Sequence, residues 1–380
     1  MPSLLATGED RAALLERYRS TPSGRDKPSR YFKYDLESLD VDATAAERAS
    51  GNVTFANVPP RAVVCDLQSA QRDHAELFAR AYRAALEPQH KYAFLTLAYG
   101  GLGAFVYVPA DCAIDEPIVV RYAGGAGESL FPHTVVLAER GARVTVVEEL
   151  ELGATGFACG VSEIVAGDGA DVTYAAAQFA PEDARAFSTR VARPARNARI
   201  SWATAEMGAS LAIADVAITI AEPGIEAAIA SLFFPTGAQH ADVVSTVDHR
   251  SGDARSETIV KTAASGAGQA RFLGNIRIAA HAQHSNASLR DDSLLLSKRA
   301  HVDSIPALEI AANDVKAFHG ATVGAIDEEA LFYMTSRGIT RTEAERMIAL
   351  GFFEPVIERF PTEALRERLR AALERKVGAA

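Results

Sequence analysis

The chain has 380 residues and a formal net charge of -10 at pH 7. Nucleic-acid affinity depends largely on Lys and Arg, which release counterions from the phosphates, so this acidic balance excludes a nucleic-acid-binding function. Three cysteines, Cys65, Cys112 and Cys159, lie far apart and form no CxxC pair. This pattern is typical of a reducing compartment and not of a secreted disulfide framework.

Two segments bear on targeting. Glu9 and Asp10 stand where a signal peptide would need an apolar core, so the sequence indicates no such peptide. The most apolar run, from Ala209 to Ala221, contains Asp215 and is too short to span a bilayer. We therefore expect a cytoplasmic protein that does not contact a membrane.

Residues 1–90 are predicted to form an N-terminal helical region. A short amphipathic helix is expected from Asp10 to Tyr18, before a break at Thr21–Gly24. A longer helix is expected from Ser69 to Leu86, with Ser69 as its N-cap and an apolar face against the rest of the fold. His74 falls on that face, where a packing role is favoured over a catalytic one.

Residues 91–324 lose the helical period and contain a repeat. Ala142–Val147, Ala170–Ala175 and Ala198–Ala203 are similar strand-like hexads that recur about every 28 residues. Further strand-like runs follow at close to the same step near Glu226, Arg255 and Gln283.

A repeated strand unit without crossover helices does not build a doubly wound sheet, because parallel neighbours there need helical returns. Coils stacked into a β-solenoid bury small apolar side chains and pair the backbone of each coil with the next. A β-sandwich would favour tight hairpin turns, and Asp168–Gly169 is the one such turn that the sequence offers. The pattern therefore favours the solenoid.

Residues 325–380 are predicted to form a small helical domain. Asp327 is expected to cap a helix that ends before Gly338, and Thr340–Glu343 is a capping box for the next helix. The apolar side of that second helix is predicted to hold Ala344, Met347, Ile348 and Phe352, and a last helix carries a stripe of Leu365, Leu369, Ala372 and Leu373. Helices at both chain ends would cap the solenoid or accept a partner.

Histidines are the main candidate ligands in the second half of the chain. His281 and His284 have the spacing of a metal pair on a helix, but the local pattern is extended, which puts their rings on opposite faces. His319 lies between Phe318 and Gly320, where a tight backbone at the end of the solenoid would present its ring. The sequence contains no GxxxxGK[ST] motif, so we expect any ATP dependence to come from a partner.

One stretch carries a family resemblance. Ser304–Ile310, Asp314–Gly324 and Leu331–Ile339 together resemble the C-terminal signature of the SufB/SufD family of iron–sulfur cluster assembly scaffolds, and the Arg30–Tyr34 segment is similar to the SufD branch. The resemblance implies a right-handed parallel β-helix core and a scaffold without enzymatic activity. It also implies that the chain pairs with a SufB-like subunit, or with a second copy as a homodimer, and docks a SufC-like ATPase.

The resemblance also assigns candidate residues. His319 matches a histidine implicated in iron or cluster ligation at the SufB-like interface, while Ala317 stands where many SufD-like sequences have cysteine. Most ligands would then come from the partner, so that this chain alone holds no cofactor stably and an iron–sulfur cluster is shared between the two subunits. The residues expected to dock the ATPase are Leu331, Phe332, Met347, Ile348 and Phe352.

Two other functions are consistent with a solenoid. A β-helix carbohydrate-active enzyme, a lyase or hydrolase, would need clustered carboxylates along one face, and here the carboxylates are scattered. A left-handed hexapeptide-repeat acyltransferase would need a six-residue period, which the sequence lacks.

Overall fold

The computed structural model describes residues 8–22, 50–87 and 90–378. Arg30–Tyr34 lies outside the described residues. The strands form two sheets that face each other and alternate along the chain, so that each coil contributes one strand to each sheet. The result is a parallel β-solenoid of about eight turns with helices from both ends of the chain beside it.

The first sheet, sheet I, has nine strands in spatial order. They are β1 (Asn52–Ala56), β4 (Ile118–Gly124), β7 (Arg143–Leu152), β9 (Asp171–Gln178), β11 (Arg199–Glu206), β13 (Glu226–Phe233), β15 (Arg255–Ala264), β17 (Asn286–Leu295) and β19 (Lys316–Ala325).

Sheet II has ten strands. They are β2 (Val63–Asp66), β3 (Gly103–Val108), β5 (Ser129–Leu130), β6 (His133–Ala138), β8 (Phe157–Ala166), β10 (Arg185–Pro194), β12 (Leu211–Ile220), β14 (His240–His249), β16 (Gln269–Ile278) and β18 (His301–Ile310). Apart from β1 and β2, which pair antiparallel with β4 and β3, these strands pair in parallel.

The sequence repeat corresponds to the strand register of sheet I, because residues one repeat apart pair in neighbouring strands. Arg143 pairs with Asp171 and Asp171 with Arg199, which confirms the step of about 28 residues. The next partners are Glu226 and Arg255, as predicted. The run predicted near Gln283 begins instead at Asn286, because the preceding turn is longer.

One turn of successive coils repeats a left-handed backbone. At this turn the residues with φ between 53° and 76° are Asp111, Gly141, Gly169, Asn197, Gly224, Asp253 and His284. Glycine, Asn, Asp and His are the residue types that tolerate this conformation. Each amide donates to a carbonyl of the following coil, as from Gly169 to Arg196. Asp168–Gly169 is therefore a coil turn between sheets and not a hairpin.

The interior of the solenoid contains columns of inward side chains. Val146, Tyr174, Trp202 and Ile229 are neighbours in one column, and the rings of Tyr174 and Trp202 lie 4.6 Å apart. Trp202 is 1% exposed. Small residues fill much of this interior, as expected, among them Ala158, Ala166 and Ala176. Further alanines, such as Ala175 and Ala203, lie in the cluster that sheet I forms with the helical tail.

A half-buried carboxylate, that of Glu148, faces the early interior. Glu148 accepts hydrogen bonds from Tyr174 Oη at 2.6 Å, from Ser162 Oγ at 3.2 Å and from Thr134. The Thr134 hydroxyl also bonds to that of Tyr122 at 2.8 Å. Hydroxyl donors thus satisfy an inward charge that would otherwise be costly to bury.

The N-terminal helices cover the outer face of sheet II. They are α1 (Gly8–Ser20), α2 (Leu67–Asp73), α3 (Ala75–Ala81) and α4 (Lys91–Tyr99). Phe78 of α3 packs on Phe105 with ring centroids 5.7 Å apart, and Tyr92 of α4 packs on Phe187 at 4.7 Å. The helix Lys91–Tyr99 occupies the place where we expected strands to begin.

The predicted helix from Ser69 to Leu86 is wrong in its start and its length. Asp66 ends β2 and is the N-cap, since its carboxylate accepts from both the amide and the hydroxyl of Ser69. The helix also breaks at His74, where φ is -134°. His74 thus separates two short helices and does not lie on one continuous face.

The C-terminal helices α5 (Glu328–Ser336), α6 (Arg341–Ile357) and α7 (Glu363–Gly378) form the helical tail. Asp327 and Thr340 cap α5 and α6, as predicted. The tail packs on the outer face of sheet I, where Phe353 stacks on Phe234 with ring centroids 6.0 Å apart. The helices therefore cover faces of the solenoid and leave its last strands uncovered.

Candidate functional site

The solenoid ends at β18 and β19, and this open end is the candidate site. In the described part of the chain each of the two strands pairs on one side, β18 with β16 and β19 with β17. Pro306 lies within β18, which fits an edge because proline has no amide hydrogen to donate to a further strand. Every residue of β19 is exposed or half-buried.

Apolar side chains are concentrated at this end. Seven large apolar residues of the described chain are exposed, and six of them belong to β18, β19 or the helical tail. These six are Ile310, Phe318, Val323, Phe332, Tyr333 and Met347. Exposed strands and exposed apolar groups together are typical of an association surface.

His319 lies in the middle of β19. The backbone at His319, expected to be tight, is extended, and the strand continues to Ala325. His319 pairs in register with Leu289, so it occupies an inward column of the solenoid. Among the residues that the structure describes, no further coil covers that column, and the imidazole is exposed and accessible to a ligand or to another subunit.

The remaining histidines of the second half are not brought together with His319 into a site. His249 is buried, accepts or donates one hydrogen bond with Ser256 Oγ at 2.9 Å, and burial lowers its pKa to about 4. His281 and His284 lie in a turn and not in the extended segment we expected. His284 occupies the left-handed position of that turn and lies 3.1 Å from Asp314, so its position has a conformational reason.

The three thiols lie far along the chain from the open end. Cys112 and Cys159 are buried and Cys65 is half-buried. Burial raises the pKa of Cys159 to about 12 and that of Cys65 to about 11, so neither supplies a thiolate near neutral pH. Within residues 8–22, 50–87 and 90–378, no group of three or more His, Cys, Asp or Glu side chains is arranged to hold a metal. His319 thus offers one donor nitrogen and not a complete site.

The helical tail presents only part of the predicted docking surface. Phe332 is 75% exposed and Met347 is 46% exposed, while Ile348 and Phe352 are half-buried. Leu331 is buried at 2% and forms part of the wall of a groove of about 460 Å³ between the tail and the last coils. The buried face of α6 holds Ala344, Ala349, Phe353, Val356 and Ile357, so it is rotated from the predicted one.

The exposed apolar residues of β18 and β19 were not predicted from the sequence. Phe318 and Val323 lie on opposite faces of β19, and both are exposed. A signal was present, since apolar residues on both faces of the last strand before a helical domain indicate an edge without a covering layer. Ile310 at the end of β18 belongs to the same surface.

These features define a class: a parallel β-solenoid scaffold with helices on its outer faces and one open end suited to association. The family model described as SUF system FeS cluster assembly, SufBD core domain, matches residues 120–352. This is more than half of the chain, and the protein therefore belongs to the SufBD family.

The relatives of the chain agree with this. It is 29% identical over 327 residues to the iron–sulfur cluster assembly protein SufD of Bacillus subtilis, covering 83% of this chain and 74% of that protein. It is 27% identical over 304 residues to an iron–sulfur cluster assembly SufBD family protein of Staphylococcus epidermidis, covering 78% of this chain. It spans 65% of that second protein, just under two thirds. Among the described residues, no helix has the length and apolar character needed to cross a membrane.

Proposed function

We propose that this chain is the SufD-type scaffold subunit of an iron–sulfur cluster assembly complex. Its open solenoid end pairs with a SufB-like subunit or with a second copy of the chain, and its helical tail docks a SufC-like ATPase. The cluster is cargo assembled between subunits, and this chain has no catalytic role of its own. The observation that carries the proposal is the exposed apolar end of the solenoid with His319 within it.

The chemistry of the open end supports pairing. The outer edges of β18 and β19 offer backbone groups that another strand can bond, and Phe318 and Val323 offer apolar area beside them. A partner with a similar end would continue both sheets and cover the inward column that ends at His319. Pairing would then remove apolar surface from water and place the imidazole at the subunit boundary.

Pairing is tested with one charge at the edge. Phe318→Glu puts a carboxylate into the proposed interface, and we expect it to abolish association with the SufB-like subunit or with a second copy. Val58→Glu is the matched control, because Val58 is 50% exposed, close to the 53% of Phe318, and lies elsewhere on the surface. The masses of the complexes report the result, and a Phe318→Glu chain that still pairs at wild-type affinity refutes this interface.

The role of His319 is as one donor to iron or to a shared cluster. A neutral imidazole is a competent iron ligand, and one nitrogen must be joined by ligands from the other subunit. We expect His319→Ala to leave the complex assembled and to lower its iron content at least about twofold, as for the loss of one ligand. His301→Ala removes an exposed imidazole of the neighbouring edge strand and serves as the control. Equal iron in the two variant complexes would contradict a ligand role for His319.

Docking of the ATPase is assigned to the exposed face of the tail. We expect Phe332→Ser combined with Met347→Ser to weaken binding of a SufC-like ATPase by about tenfold or more, since both side chains expose apolar area to solvent. The edge variant Phe318→Glu should bind the ATPase normally, and the tail variant should still pair through the solenoid end. Retention of ATPase binding by the tail double variant would contradict this assignment.

The alternative of a carbohydrate-active enzyme has no support in the family match, which covers the solenoid from residue 120 onward. Surface carboxylates such as Glu226 and Glu149 are engaged by Arg199 and Arg121 in ion pairs along sheet I. Cleavage of a uronide polymer by the purified chain would revive that alternative.

A further inference from the structure

A series of four side chains, each in contact with the next, joins the helical tail to the edge strand β19. Lys261 of β15, Asp292 of β17 and Thr322 of β19 are register neighbours on the outer face of sheet I. Lys261 Nζ lies 2.8 Å from Asp292 Oδ2, and Thr322 Oγ1 donates to Asp292 Oδ1 at 2.8 Å. The same ammonium lies 4.5 Å from the centre of the Phe352 ring of α6.

The two middle side chains of this series, Lys261 and Asp292, are shielded from water. The side chains of Lys261 and Asp292 are 14% and 21% exposed, so their attraction is less screened than in the ion pairs elsewhere on the surface. Burial alone would raise the pKa of Asp292, but the hydrogen bonds from Lys261 and Thr322 hold that pKa below its ordinary value. The carboxylate is therefore charged, and it fixes both neighbours.

The first and last side chains of this series, Phe352 and Thr322, lie in the helical tail and at the open end of the solenoid. Phe352 is half-buried on α6, between Lys261 and Phe353, whose ring centroid is 5.2 Å away. Thr322 follows His319 by three residues on β19. Its hydroxyl supplements the backbone ladder that holds this edge strand to β17.

We propose that Lys261 is a positioning residue that couples the helical tail to the edge strand. A partner that displaces Phe352 changes the contact between the Phe352 ring and Lys261. The hydrogen bond between Asp292 and Thr322 then changes, and with it the position of β19 and His319. That the partner is an ATPase and that His319 is a ligand rest on the proposed function, whereas the coupling itself is a property of this chain.

The test uses hydrogen–deuterium exchange of the β19 amides in the full-length chain. Lys261→Met removes the charge and keeps the stem, and Phe352→Leu removes the ring and keeps an apolar side chain. We expect each to speed exchange in β19 about three- to fivefold, as for loss of one shielded contact at a sheet edge. The double variant should exchange no faster than the faster single variant, because both act through the same contact.

Two controls separate coupling from general loosening. Phe352→Tyr keeps the ring and should exchange like wild type. Arg277→Met breaks the pair of Arg277 with Glu309, 3.3 Å apart, which joins β16 to the other edge strand β18 without contacting the tail, and should leave β19 unchanged. If Phe352→Leu leaves β19 exchange unchanged, or if the Lys261→Met and Phe352→Leu effects multiply in the double variant, the coupling is refuted.

A second measurement adds the SufC-like ATPase. We expect its binding to alter β19 exchange in the wild type, and Lys261→Met to abolish this response while the affinity stays within about threefold. A response that persists in Lys261→Met refutes the coupling. If the wild type does not bind the ATPase, the docking part of the proposed function fails, and the exchange rates of the free variants still decide the coupling.

Discussion

The two ends of the solenoid are built differently. At the first end, β1 and β2 are short strands that pair antiparallel, and α2 and α3 pack beside them on sheet II. At the last end, β18 and β19 are ten-residue parallel strands whose far edges carry no partner in the described chain. Short, antiparallel edge strands discourage further pairing, while long, regular ones permit it. The difference agrees with the proposed function, in which the last end and not the first pairs with another subunit.

The largest expected effect is the difference in free energy of unfolding between a substitution in the interior and one at the open end. Trp202→Ala removes a side chain that is 1% exposed, and we expect it to lower the free energy of unfolding by about 3–5 kcal/mol. Phe318→Ala at the open end, where the ring is 53% exposed, should change it by less than about 0.5 kcal/mol. Urea denaturation of both variants measures the contrast. Similar losses in the two variants would show that the open end is part of the stabilising core.

Asp291, near the last end, provides the second test of the comparison, because hydrogen bonds compensate poorly for the burial of its carboxyl group. It is fully buried in β17, Ser304 donates to one oxygen, and no described residue donates a hydrogen bond to Oδ1. Burial raises its pKa to about 6 from an ordinary value of 3.8. The folded chain therefore binds this proton more tightly than the unfolded chain, and stability falls as the pH rises from 3.8 to 6.

Replacing this carboxyl group should stabilise the protein at neutral pH. We expect Asp291→Asn to exceed wild type by about 1–3 kcal/mol at pH 8, with the advantage vanishing near pH 4, where wild type keeps the proton. Urea denaturation at the two pH values measures the difference. A variant that is less stable than wild type at pH 8 would mean that the charge of Asp291 is compensated in the fold.

Glu148 provides the opposite case in the early coils. Three hydroxyl groups donate to its carboxylate, so Glu148→Gln loses charge-assisted bonds and should destabilise the fold by about 1–2 kcal/mol at pH 8. The sign is thus opposite to that of Asp291→Asn. If both substitutions stabilise the chain, hydroxyl donors do not compensate an inward charge in this solenoid.

The smallest effect is expected on the outer face of sheet I. Arg199 pairs with Glu226 at 2.9 Å, but its side chain is 55% exposed, so Arg199→Ala should cost no more than about 0.5 kcal/mol. The value should shrink further in high salt, because screening weakens exposed pairs. A loss of several kcal/mol would show that this ladder of charges, and not the interior, sets the stability of the central coils.

The sequence by itself determined the local and periodic features. The step from Arg143 to Asp171 and Arg199 follows from strands that stack in register, and the stripe Leu365, Leu369, Ala372 and Leu373 follows from the helical period. The caps Asp327 and Thr340 act on the next few residues only. Each of these depends on neighbours in the chain or on a fixed repeat, which a pattern can report.

Only the tertiary structure decided what covers each surface. The backbone at His319, expected to be tight, is a strand because β17 supplies a pairing partner 30 residues earlier in the chain. The buried face of α6 contacts Phe234, which directly follows β13, and this contact is made by Phe353 and not by Phe352. The exposure of His319 depends on the absence of a further described coil beyond β19. The link from Phe352 to Thr322 depends on residues that the fold brings together from three strands and a helix. Burial is a property of distant contacts, and these leave no period in the sequence.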